Sequence, residues 1–223
     1  MALKAYISIR FVYTVAVFFS IATVVVLSLG RTNPAVADTP HTHMLAAELR
    51  IVRDDLTRLN LPSNLPPAHI QGLHDRIKGG LGVLPWLLRQ AGDETGAIQL
   101  RTFDLNSTPS HNVLIKKLDR LIARHPLDIS FYAPEHLTPT LRREAFSIHD
   151  AYCAGCHDET GQGDEDTALP ARDLYLMART GPPGAFLARL INGVKGDKTL
   201  LFSNPLTSKQ IAALWHHYQQ GPR

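Results

Sequence analysis

Between Met44 and Leu59 the apolar residues Leu45, Leu49, Val52, Leu56 and Leu59 return every three or four positions, and Glu48, Arg50, Arg53, Asp54, Asp55 and Arg58 fill the gaps. That period predicts an amphipathic helix. Pro62, Pro66 and Pro67 end it. Ile70, Leu73 and Ile77 begin a second helical pattern that stops at Gly79-Gly80. A short apolar stretch follows from Leu81 to Leu88, where Pro85 argues against a long regular helix. Residues 92–110 are polar and rich in turn formers. Leu114, Leu118, Leu121 and Ile122 mark another helix through about Arg124, and Leu127 to Glu135 reads as a linker.

Thr138-Pro139 is a helix N-cap followed by proline at the first helical position. Leu141, Ala145, Ile148 and Tyr152 line one face of the helix that follows, which runs directly into Cys153. Thr207 can cap a last helix with Ile211, Leu214 and Trp215 on one side. No strand pair is predicted. The expected fold class is all-α, with a helical bundle of unassigned role over residues 41–128 and a second helical domain over residues 138–220.

Residues 1–37 follow a different pattern. A positive start at Lys4 and Arg10 precedes an apolar run from Phe11 to Leu29, and Ala35-Val36-Ala37 offers a small-x-small cleavage site. This is the layout of an export signal. The run approaches the ~20 residues that cross a bilayer, so a retained inner-membrane anchor is the alternative. Either way the remainder is expected in the periplasm. The formal charge of the chain is +3. Lys4, Arg10 and Arg31 fall in the leader with no acid beside them, so the rest is formally balanced and gives no electrostatic case for nucleic acid as a partner.

The chain has 2 cysteines, both in Cys153-Ala154-Gly155-Cys156-His157. In an oxidising compartment such a pair can be a disulfide, a redox-active dithiol or a thioether-bound haem, and the histidine directly after the second cysteine points to haem. Two thioether bonds need thiols about one helical turn apart, which the i, i+3 spacing supplies. A neutral imidazole is a suitable iron ligand. The motif therefore predicts one covalent haem c on Cys153 and Cys156, with His157 as the proximal iron ligand.

Residues 138–220 resemble a class I monohaem cytochrome c domain. The ordered pieces are the helix from Leu141 to Tyr152, the haem motif, Gly161-Gln162-Gly163, the stretch Leu169-Pro170-Ala171-Arg172-Asp173-Leu174, a segment from Phe186 to the turn Asn192-Gly193-Val194, and the final helix. The resemblance implies that the Pro170 carbonyl orients His157 through its ring N–H. It also implies that the first and last helices cross near the haem, with Ala145 where the family often has glycine and His149 where an aromatic is common. The sixth ligand departs from the pattern. Thr199 stands where the family places methionine, and a neutral hydroxyl is a poor iron ligand. Met177 is the nearer methionine candidate, although a methionine in an apolar run also serves as core filler. His41, His43, His149, His216 and His217 are further candidates, as is an open position.

Weaker signals include His41-Thr42-His43 near the leader, the acidic run Asp158, Glu159, Asp164, Glu165 and Asp166, and Lys195, Lys198 and Lys209. Solvated surface accounts for each. The expected function is a periplasmic electron carrier exchanging single electrons with periplasmic or membrane-bound redox proteins, rather than a self-contained enzyme. A haem-based small-ligand sensor or peroxidase-like enzyme is the alternative, drawn from the missing methionine. A third reading is a subunit of a larger redox complex, docked through residues 41–128.

Overall fold

Helix α1 (Pro40–Asn60) is apolar on two sides rather than one, and the other helices pack to cover both. A computed structural model describes residues 40–61, 65–100, 108–133, 137–158, 171–193 and 204–221, and all of their regular structure is helical. The fold of these residues is all-α. After α1 come α2 (Pro67–Gln90), α3 (Glu94–Leu100) and α4 (Thr108–Arg124), then a 3-10 turn at Ser130–Tyr132. The chain continues through α5 (Pro139–Tyr152), the single turn α6 (Ala154–His157), α7 (Leu174–Thr180), α8 (Pro183–Asn192) and α9 (Ser208–Gln220). The expected leader or anchor, residues 1–37, lies outside the described residues. No described helix is long and apolar enough to cross a membrane.

One stripe of α1, Leu45, Leu49, Val52 and Leu56, packs with Ile77, Leu84 and Leu88 of α2, Leu100 of α3 and Leu114, Leu118 and Leu121 of α4. The other, Ala46, Ala47 and Ile51, packs into a second core with Phe186, Leu187 and Ile191 of α8 and residues of α5 and α9. Each buried leucine or isoleucine contributes about 1.5–3 kcal/mol. The small side chains Ala46 and Ala47 let α8 approach α1 closely. Helix α9 in turn packs against α5, α7 and α8.

Between the two stripes lie Glu48 and Asp55, at 1% and 0% exposure. A buried carboxylate is costly unless paired and hydrogen-bonded. Arg76 of α2 grips Asp55 with both Nε and Nη2, and Arg189 of α8 donates to Asp55 at 2.8 Å and to Asp54 at 2.7 Å. Burial pushes the Asp55 carboxyl up, but the hydrogen bond from Arg76 and the charges of Arg189 and Arg76 outweigh it, so it stays below its ordinary range. Glu48 Oε2 accepts from Asn192 Nδ2 at 2.7 Å.

The structure departs from the expected elements in three places. Helix α2 runs unbroken through Gly79-Gly80 and Pro85. Gly80 is a point of close approach rather than a stop, since a Cβ there would lie 2.4 Å from Val52 Cγ2 and 2.7 Å from Glu48 Oε1. Pro85 removes a single backbone hydrogen bond, and buried Leu84, Leu87 and Leu88 hold the helix on both sides of it. The polar segment after residue 92 contains α3. Asp93 caps it, with Oδ1 accepting the Gly96 N–H at 2.7 Å, while Arg124 and His125 donate to Oδ2 at 2.9 and 3.0 Å. The expected linker is anchored too, for Leu127 and Tyr132 are buried in the second core and the Tyr132 hydroxyl bonds His43 Nδ1 at 2.9 Å.

Gly80→Ala forces a methyl into Val52 and Glu48, and should destabilise the fold by about 1–3 kcal/mol in urea unfolding. Asp93 gives a pH test. Burial raises its carboxyl, but the bonds from His125, the Gly96 N–H and Arg124 bring it from an ordinary 3.8 down to about 2. Its folded-state value is depressed, so the contribution is complete above 3.8 and fades as pH falls toward 2. Asp93→Ala should cost about 0.5–2 kcal/mol at neutral pH. The gap from the unsubstituted protein should close across that acid window in thermal unfolding.

Candidate cofactor site

Helix α5 delivers the cysteine motif. The Thr138 side chain accepts the Leu141 N–H at 3.2 Å and Pro139 opens the first turn, so the helix start is set as its sequence predicts. Ala145, Ile148 and His149 face inward. Cys153 ends the helix, its N–H donating to the His149 carbonyl at 2.8 Å. The Cys153 carbonyl then accepts the N–H groups of Cys156 and His157 at 3.2 and 3.0 Å, which winds α6 into one further turn. Cys153 is half-buried, Cys156 is exposed, and no disulfide joins them.

The His157 ring is held from one side, its Nδ1–H donating to the Arg172 carbonyl at 2.6 Å. That bond fixes the tautomer and leaves Nε2 with the lone pair, and no described residue bonds Nε2. Two residues inferred to matter by resemblance, Pro170 and Thr199, lie outside the described residues; within them the carbonyl that meets His157 belongs to Arg172. Asp173 secures that segment by capping α7, its Oδ1 accepting the Leu176 N–H at 3.0 Å.

Behind the cysteines sits a cluster of imidazole and phenol rings. His149, 4% exposed, pairs Nδ1 with the Tyr218 hydroxyl at 3.1 Å and Nε2 with Asp158 Oδ2 at 3.3 Å. His217 Nε2 pairs with the Tyr175 hydroxyl at 2.9 Å. The rings of His149, Tyr175, His217 and Tyr218 lie 5.2–5.6 Å apart, centre to centre. His149 thus fills the helix crossing as an aromatic side chain would. Tyr218 extends the Ile211, Leu214 and Trp215 stripe of α9 by one turn, so its inward position was implicit in that spacing. The backbone acceptor at Arg172 carries no side-chain signal.

The other candidates are dispersed. Met177 is partly buried against the second core. His41 packs edge-on to Trp86, and His43 is bonded to Tyr132. His216 pairs with Gln220 at 2.9 Å. Lys209 is exposed on α9, whereas Lys195 and Lys198, like Glu159, Asp164, Glu165 and Asp166, lie outside the described residues. Among the described residues no three of His, Cys, Asp and Glu gather to hold a bare metal ion.

These residues fit a covalently attached haem. Two unbridged thiols sit one turn apart, and the adjacent imidazole has one nitrogen engaged and the other open. Tyr152, immediately before Cys153, is 81% exposed and Leu176 on α7 is 52% exposed, an apolar surface at the elements that meet His157. Trp215 Nε1, one turn before Tyr218, is a buried donor with no hydrogen-bond partner among the described residues, which a carboxylate of a bound group could satisfy. No protein-family model, curated protein sequence or solved structure matches this chain.

Burial above all, then the charges of His149 and His216, hold His217 below its ordinary 6.5. A depressed histidine favours the folded state only while neutral, so this contribution is present above 6.5 and declines as pH falls below it. The His217 ring should titrate below 6.5 by NMR. His217→Phe should weaken the loss of thermal stability between neutral and mildly acidic pH.

Proposed function

We propose that the chain is a periplasmic c-type cytochrome, cytochrome c-like over residues 138–220, with one haem c attached through Cys153 and Cys156 and His157 as proximal iron ligand. It passes single electrons between periplasmic or membrane-bound redox proteins. One observation carries the reading: His157 directly follows Cys156 and has its Nδ1 tied to the Arg172 carbonyl at 2.6 Å, the way an imidazole is prepared to ligate a metal through Nε2.

When bound, the haem supplies a centre that gains and loses one electron without bond chemistry on a substrate. The chain does the rest. Cys153 and Cys156, both free thiols one turn apart, would hold the group covalently through their sulfurs. The Arg172 carbonyl keeps His157 in the Nδ1–H tautomer and strengthens Nε2 as a donor. The exposed apolar surfaces of Tyr152 and Leu176 would be available to cover the group, while the His149–Tyr218 hydrogen bond fixes the end of α5 that carries Cys153.

The test is a haem stain on a denaturing gel. The periplasmically expressed protein should stain, Cys153→Ala or Cys156→Ala should lose most of the signal, and both together all of it. Staining of the double variant would overturn the assignment. The ferrous protein should bind carbon monoxide slowly or not at all; rapid binding would overturn the simple carrier role.

A further inference from the structure

The first turn of α1 carries an exposed aromatic ring on each flank. His41 meets Trp86 of α2 edge to face with ring centres 5.5 Å apart, and His43 lies 5.8 Å from Phe131 and 6.0 Å from Tyr132 of the 3-10 turn. Two positions along a helix are about 200° around its axis, so Trp86 and Phe131 stand on opposite sides of α1 at one level. Trp86 is 40% exposed and Phe131 55%, whereas Leu87, Leu88 and Tyr132 beside them are buried in the cores. The base is fixed, since the Tyr132 hydroxyl bonds His43 Nδ1 at 2.9 Å and its ring meets Phe131 edge-on at 5.1 Å. The cysteine motif uses none of these residues.

Large rings turned to water are unfavourable, and these sit beside imidazoles, so that apolar bodies and polar edges share one level. That combination suits the headgroup layer of a bilayer, where aromatic side chains collect because one part meets hydrocarbon and the other meets water. The chain leads to the same place. Pro40 opens α1, and only residues 30–39 separate it from the apolar run over residues 11–29. The acids at this end have donors. Glu94 pairs with Arg89 at 3.2 Å, Asp93 with Arg124 at 2.9 Å and His125 at 3.0 Å, and Asp128 accepts the N–H groups of Ser130 and Phe131 at 2.9 and 3.3 Å. Anionic headgroups would therefore not face a cluster of unmatched carboxylates among them. At the other end of α1, 21 residues or about 30 Å away, the exposed Leu61 is aliphatic and has no polar edge.

We propose that Trp86 and Phe131, set in place by His41 and His43, form a membrane-facing surface that seats the first turn of α1 in the headgroup layer of a phospholipid bilayer. This rests on the export reading of residues 1–37 and takes its anchored alternative, in which the apolar run is retained in that bilayer; it does not depend on the haem. A chain tethered by a single segment can swing about it. Two rings on opposite flanks of one helical turn add a second and a third point of contact, which fixes the tilt of α1 and holds the bundle over residues 41–128 at one height above the lipid.

The experiment is NMR of the full chain, reduced, in nanodiscs of phosphatidylethanolamine and phosphatidylglycerol that carry a headgroup-level nitroxide lipid. The chain has 2 tryptophans, so Trp215, buried in the second core, serves as the internal reference. The Trp86 indole N–H signal should lose most of its intensity while the Trp215 signal and the Leu61 methyl signals keep theirs. Equal loss at Trp86 and Trp215, no loss at Trp86, or a loss at Leu61 as large as that at Trp86 would overturn the proposal. Trp86→Ser combined with Phe131→Ser, both at exposed positions, should release this end and restore the signal of the Met44 methyl, one turn along α1; an unchanged Met44 signal overturns the seating role. If the double variant fails to fold, the comparison within the unsubstituted protein stands by itself. An N-terminus at Asp38 in protein extracted from membranes overturns the proposal, as does a Trp86 signal that responds to protein concentration but not to the nitroxide, which would assign the surface to a second copy of the chain. The haem stain is read separately. An unstained protein with Trp86 broadened removes the attachment reading alone, and a stained protein without that broadening removes this surface alone.

Discussion

A carboxylate sealed between helices must be matched by donors, and Asp55 is matched from both sides of α1, by Arg76 on α2 and Arg189 on α8. Leaving such a charge unpaired costs several kcal/mol. The two ends of this clamp belong to different cores, so the rotation of α1 about its axis is set by polar geometry as well as by its apolar stripes. Glu48 and Asn192 repeat the arrangement two turns away. Helix α8 then carries this constraint onward, for Phe186 meets Tyr218 edge to face at 5.7 Å, and Tyr218 bonds His149, whose carbonyl accepts the Cys153 N–H. An ordered path of packed groups thus joins the first helix to the cysteine motif.

Much of this was legible in the sequence, and the rest was hidden for definite reasons. The three-and-four spacing of Leu45, Leu49, Val52 and Leu56 shows a helix because one stripe of large side chains dominates the pattern. The second stripe has one large side chain, Ile51, beside the small Ala46 and Ala47, too little to register as a hydrophobic face beside the charged residues around it. Gly79-Gly80 reads as a terminator because glycine weakens helices in isolation. Only the neighbouring Val52 and Glu48 explain why Gly80 continues one. In the same way, Pro85 is locally unfavourable and is held by a core that its own sequence neighbourhood does not reveal.

The candidate site divides along similar lines. Cys153, Cys156 and His157 are a local motif and can be read from spacing alone. The acceptor for the His157 ring is a backbone carbonyl fifteen residues on, and a backbone atom leaves no mark in residue identity. His149 looked like a departure from an aromatic position. In place it packs as an aromatic ring does while adding two polar nitrogens, each with a partner. The substitution therefore preserves packing and changes chemistry, and sequence comparison by residue class cannot see both properties at once.

The two-sided burial of α1 has a consequence for the order in which the chain can assemble. Its partners on one side follow within the next eighty residues, but Arg189 lies 135 residues beyond Asp54 and Asn192 lies 144 residues beyond Glu48. During synthesis the first helix can dock early on α2 and α4, while Ala46, Ile51 and one flank of Asp55 stay open to solvent until almost the whole chain has emerged. Closure of so long a loop is slow, and an uncovered apolar stripe is a site for wrong contacts in the interval. The vulnerable moment of this protein's life lies in the wait between the making of α1 and the arrival of α8.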